Sequence, residues 1–205
     1  MHARSESVLR RTRSTSIALA AYAVIGGLSS FLGWAADLPR LTDWLGGGIS
    51  IQPNATIAAL SSGVTLLLLT FGHRYLAALS GALVAAIGGS TLFQYVSGID
   101  LHIDTVLMFE RTWGRAGVLF PGRMGPPGTV SWTAIGLALV IASFWRSSGS
   151  RVRALVPALA STTAAISSLS LIGYLYGADM LYTIPTSTVI ALPTSTFILA
   201  VSVGL

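Results

Sequence analysis

The chain has no cysteine and no lysine. The first absence excludes disulfides, thiolate metal sites and cysteine nucleophiles. The second means that all twelve basic residues are arginine. Charge of either sign is scarce: Asp, Glu, Lys and Arg make up 9% of the 205 residues, where a soluble domain carries about 25%. So little charge cannot coat a water-facing surface. With 53% of residues hydrophobic and a mean hydropathy of +0.74, the class is an integral membrane protein.

The long apolar runs also lack ionisable residues in their interiors. Such residues mark proton and ion pathways, so their absence disfavours a proton-coupled transporter or an intramembrane protease. No phosphate-cradling loop, nucleophile elbow or dinucleotide fingerprint is present. His2, His73 and His102 are the only histidines, and no two stand at i, i+4 to hold haem or a metal. His102 with Asp100 and Asp104 makes only a weak metal set. No catalytic residue, metal or cofactor is expected. The net charge of +5 is no footprint for nucleic acid, because the arginines are spread over the turns between apolar runs.

The runs predict an all-α integral membrane bundle of about six transmembrane helices. Residues 1–16 form a basic tail carrying Arg4, Arg10, Arg11 and Arg13. The membrane domain spans 17–205. Its first helix runs to about Ala35, with Trp34 as an interfacial anchor. At about 20 residues it exceeds the roughly 7–15 of a signal-peptide core, so an uncleaved helix is expected. A loop over 36–54 follows, with a short interfacial helix expected over Leu41 to Leu45. Further helices are expected over 55–72, 76–96, 128–145 and 154–176, with loops at 97–127 and 177–192. The last apolar run, 13 residues from Pro193, gives about 20 Å of helix. That is short for a span, so either more chain after Leu205 or a partner is expected to complete it.

With the N-terminus in the cytoplasm, eight arginines fall inside and four (Arg40, Arg111, Arg115 and Arg123) fall outside. This orientation satisfies the positive-inside rule and suits a bacterial inner membrane.

Leu92-x-x-Tyr95-x-x-Gly98-x-Asp100 matches Leu171-x-x-Tyr174-x-x-Gly177-x-Asp179. The helices that follow also share a start: Pro53 with Gly63 and Pro126 with Gly136, and Pro193 opens a similar run. The chain reads as one leading helix followed by repeated helical hairpins in parallel orientation. Tyr95, Asp100, Arg123, Tyr174 and Asp179 are the candidate ligand-binding residues, on the outer side. Ala77, Gly81, Ala85 and Gly89 form a small-residue row that lets a neighbouring helix approach, within the chain or in a homodimer. Gln94, the most polar side chain inside a span, reads as an interhelical hydrogen bonder. The loop over 97–127 reads as an outer lid.

At Pro121-Gly122-Arg123-Met124-Gly125-Pro126 the chain resembles the N-terminal membrane-associated sensor regions of bacterial sensor histidine kinases and related signalling proteins. Pro53-Asn54 and the Gly173-to-Ala178 helix end carry the same resemblance. It implies a non-catalytic sensory input domain that passes a helix shift to a cytoplasmic transmitter, with any kinase activity beyond Leu205. The alternative is an accessory subunit that packs on a larger membrane complex. The expected partners are the lipid bilayer and a second copy or a membrane complex.

Overall fold

The computed structural model describes residues 2–145, 149–177, 183–184 and 188–205. Six helices carry the fold: α1 His2–Ala35, α2 Pro53–Thr70, α3 Arg74–Ser97, α4 Pro126–Ser143, α5 Ser150–Tyr176 and α6 Leu192–Gly204. A 3-10 turn at Pro39–Leu41 and a two-residue antiparallel pairing of Thr183–Ile184 with Thr188–Val189 complete the described elements. Five helices are long and apolar enough to cross a membrane. The sixth, α6, has 13 residues.

The ends of these helices follow from local chemistry. Pro53 and Pro126 occupy the first position of α2 and α4, where a missing N–H costs nothing. Gly98 and Gly177 close α3 and α5 in the left-handed conformation, at φ 70° and 61°. The basic segment is helical from His2 and continues without a break into the apolar span at Arg10–Ala35. No proline, and no glycine before Gly26, interrupts it. The expected helix over Leu41 to Leu45 is a turn instead. Asp43 there accepts Gly46 N–H at 2.9 Å and Gly48 N–H at 2.6 Å, which competes with helical bonding.

The helices form a closed ring. Each packs on its sequence neighbours, and α6 returns to α1. Ser16 Oγ donates to Gly204 O at 3.1 Å, and Tyr22 Oη donates to Thr196 Oγ1 at 2.8 Å across that seam. α2, α4 and α6 also touch one another, so they are the inner helices. Within their spanning windows, 56% of α2 and 50% of α4 is buried, against 28% for each of α1, α3 and α5. The outer three therefore present most of their surface to lipid.

The repeat is more extensive than two tyrosine motifs. Near the end of each outer helix one aromatic donor bonds the carbonyl two residues before the next inner helix. Trp34 Nε1 reaches Ile51 O at 2.8 Å, Tyr95 Oη reaches Met124 O at 3.1 Å, and Tyr174 Oη reaches Ile190 O at 2.7 Å. Counting back from these donors aligns the buried seams: Ala20, Ala23, Gly27 and Ser30; Gly81, Val84, Gly88 and Thr91; Ala160, Thr163, Ser167 and Ser170. The spacing is the 3-4-3 alternation of a heptad seam. The leading helix is thus itself a member of the repeat, and the bundle consists of three outer–inner helix pairs.

Small residues at the seam set the helix separation. A side chain at Gly27 would strike the Leu60 and Thr56 backbone, and one at Gly88 would strike Thr133. At the third equivalent position, Ser167 Oγ contacts Ser195 O directly. With lipid on the outside, such close backbone packing replaces the hydrophobic driving force available in water.

Candidate functional site

The loop over 98–125 folds back as a lid on one end of the bundle, hereafter the lid face. Arg74, Arg151 and Arg153 stand at helix starts on the opposite, arginine face. Arg111 fastens the lid to α1. Its Nε donates to Trp34 O at 3.1 Å and its Nη2 to Ala35 O at 2.9 Å, giving partners to two carbonyls that the helix end leaves open. The same guanidinium pairs with Asp37 at 3.4 Å. Trp113 stacks on Trp34 with centroids 4.2 Å apart and donates Nε1 to Asp37 Oδ1 at 2.7 Å. Gln52, buried at the head of α2, donates Nε2 to Gly114 O at 3.0 Å. Gly114, at φ +73°, lies where any side chain would meet the Trp34 indole. The first loop and the lid therefore interlock.

The second anchor is a buried polar cluster at the end of α3. Arg123 is 5% exposed, Asp104 6% and Gln94 2%. Arg123 Nε donates to Asp104 Oδ2 at 2.6 Å, and its Nη2 donates to Gln94 Oε1 at 3.0 Å and to Asp100 Oδ1 at 3.2 Å. Gln94 Nε2 donates to Asp104 at 3.2 Å, and Gln94 Oε1 also accepts Leu101 N–H at 2.8 Å. The guanidinium carbon lies 4.3 Å from the Phe120 ring centroid and 5.7 Å from that of Tyr95. The planar fork of arginine suits three acceptors and two aromatic faces at once. Gly122, at φ +79°, brings the chain against the Asp104 backbone, with no room for a Cβ. Lid residues from both sides of the loop thus close on one amide in the last turn of a membrane helix.

Of the residues singled out in the sequence, Tyr95, Asp100 and Arg123 come together here. Tyr174 does not join them, because it holds Ile190 O at the start of α6. A pocket shared by Tyr95 and Tyr174 is therefore replaced by two equivalent latches. Asp179 lies outside the described residues. Gln94 bonds the lid rather than another helix. Asp104 is the central residue missing from the candidate ligand-binding set; it is one of three acids in the loop, with Asp100 and Glu110, and its spacing does not single it out. It turns inward to Arg123, away from the exposed His102–Asp100 pair at 3.6 Å. Among the described residues, no three acidic or histidine side chains gather around a common point.

The row Ala77, Gly81, Ala85 and Gly89 is divided by the structure. Ala77 and Gly81 are buried, and Ala85 backs onto Gly136 of α4. A Cβ at Gly89 would meet nothing within 4 Å. Steps of four residues drift by about 40° each on a helix of 3.6 residues per turn, so the row leaves the contact face. The seam follows Gly81, Val84, Gly88 and Thr91 instead. Comparison with family models, with curated proteins and with solved structures gives no match to this chain.

Proposed function

We propose that this chain is a membrane-embedded sensory input module of a bacterial signalling protein, not catalytic itself. One observation carries the reading: the Arg123–Asp104–Gln94 cluster ties an outer lid to the last turn of α3. A buried ion cluster is a poor way to gain stability compared with apolar packing, and its best-attested use is to select one of two arrangements. Displacing the lid releases Gln94 and shifts α3. The turn at Phe71–His73 passes that shift to α2 at the arginine face. Tyr95, Asp100 and Arg123 are the residues a stimulus would act on. The N-terminus and the arginine face lie in the cytoplasm, and the membrane is the inner one.

The accessory-subunit reading needs a free small-residue ridge. On α3 that ridge is occupied within the chain, since Gly81 lies against Leu139 and Gly88 against Thr133. The α3 ridge is therefore not a surface that such a partner could use.

The cysteine-free background makes the test direct. His73→Cys places a thiol at the arginine face, and Val106→Cys places one on the lid, where Val106 is 71% exposed. A membrane-impermeant maleimide should label Val106→Cys in intact cells and His73→Cys only in inverted vesicles. Adding Arg123→Lys should change the His73→Cys labelling rate severalfold. Labelling of His73→Cys from outside would defeat the orientation, and an unchanged rate with Arg123→Lys would defeat the relay.

A further inference from the structure

We infer that one ordered water molecule binds where the three inner helices start together at the lid face, bridging the Gln52 side chain to the free N–H groups of α4 and α6. The inference does not rest on the sensory reading.

α2, α4 and α6 begin around one small cavity. Its wall takes in the residue just before each helix, Gln52, Gly125 and Ala191, and the third residue of each, Ala55, Gly128 and Thr194. All six are buried. The volume is about 20 Å³. One water needs about 10–15 Å³, so the space holds one and nothing larger. The opening at Gly128 agrees with this. A Cβ added there would meet nothing beyond its own turn within 4 Å, although the residue is buried.

What faces the cavity sets the chemistry of its ligand. Gln52 is 4% exposed, and its Nε2 donates to Ser50 O at 3.2 Å and to Gly114 O at 3.0 Å. Both partners are carbonyls, which fixes the orientation of the amide and leaves Oε1 as its free atom. That oxygen is buried with no hydrogen-bond partner among the described residues. A buried acceptor left so is costly, and it calls for a donor. The helix starts call for the opposite. Pro53, Pro126, Pro127 and Pro193 have no N–H, and Asn54 Oδ1 accepts the Ala55 N–H at 2.8 Å. The N–H groups of Gly128 and Thr194 have no intrahelical partner, and no backbone acceptor among the described residues. Such groups point out along the helix axis and call for an acceptor. A cation cannot accept, and the positive ends of three helices repel it. A simple anion cannot donate to Gln52 Oε1. Water does both, and a buried water typically makes about three such bonds.

The test is X-ray radiolysis of the whole chain in detergent micelles. Hydroxyl radicals form from the waters present, bound ones included, and oxidise a methionine beside them to the sulfoxide. Met124 lines the cavity and is 3% exposed, whereas Met108, 4% exposed under the same lid, lies outside it. Mass spectrometry of the digest should show Met124 oxidised severalfold faster than Met108. Gly128→Ala puts a methyl group in the cavity and should bring Met124 down to the Met108 rate, with the circular dichroism spectrum as its folding control. Equal rates in the parent chain would overturn the inference, whether or not Gly128→Ala folds. Low rates would mean a dry cavity, and high ones a lid that opens to bulk water. An unchanged Met124 rate in folded Gly128→Ala would sink it as well.

Discussion

Arg123→Met should destabilise the bundle by about 3–5 kcal/mol, the cost of leaving a buried charge without its partner. The carboxylate of Asp104 would remain 6% exposed, with only the Gln94 amide to meet it. Asp100 would lose its 3.2 Å contact, and Gln94 Oε1 would keep only the Leu101 N–H. The cost is set by what remains, so the paired change Arg123→Met with Asp104→Leu should recover most of it. Arg123→Lys should fall between, because an ammonium cannot present the Nε and Nη2 donors to separate acceptors. Thermal unfolding followed by circular dichroism in a mild detergent measures all three. A loss below about 1 kcal/mol for Arg123→Met, the range of an exposed pair, would mean that the cluster is open to water and the lid undocked.

The second large effect concerns backbone contact. A Cβ at Gly136 would be driven into the Ala85 backbone of α3, and no side-chain rotation can relieve that. Gly136→Val should therefore cost about 3 kcal/mol or more, the upper range for overpacking. A Cβ at Gly63, its counterpart on α2, would lie 2.6 Å from Ala20 O and 2.8 Å from Val24 N, so Gly63→Val should behave alike. Gly89→Ala is the contrast, since open space surrounds that position. It should stabilise α3 by roughly 0.5–1 kcal/mol through backbone entropy alone. The same unfolding measurement checks both, and a destabilising Gly89→Ala would return the four-residue row to the helix interface.

Much of the scaffold was legible in the residues. Sparse charge and runs of spanning length gave the class. Gly98, Gly177 and Pro126 marked their helix ends because each has a local conformational role. On the outer helices the repeat was visible only where tyrosine stood in both copies, and on the inner ones only at the Pro–Gly starts. In the first helix Trp34 makes the same bond with an indole, so a search for matching letters passes over it. The seam was hidden for a different reason. Its Ala, Gly and Ser residues look like their neighbours in a chain with 22 glycines, and only packing distinguishes Gly88 from Gly89. The polar cluster was half legible. Arg123 and Asp100 stood out as charges, whereas the bonds that unite them cross 10 to 29 positions of a loop without periodicity. Nothing in a local pattern sets which acid such a loop turns inward.

The ring has one more consequence. Each outer–inner pair starts and finishes at the same face of the membrane, so a pair is a self-contained tile. The latches at Trp34, Tyr95 and Tyr174 each close one tile, between its outer and its inner helix, and none of them spans two tiles. Contact between tiles is of another kind: Ser16 Oγ meets Gly204 O from the side of α1, and α2, α4 and α6 meet at the centre. What holds a tile together is therefore separate from what holds the tiles to one another.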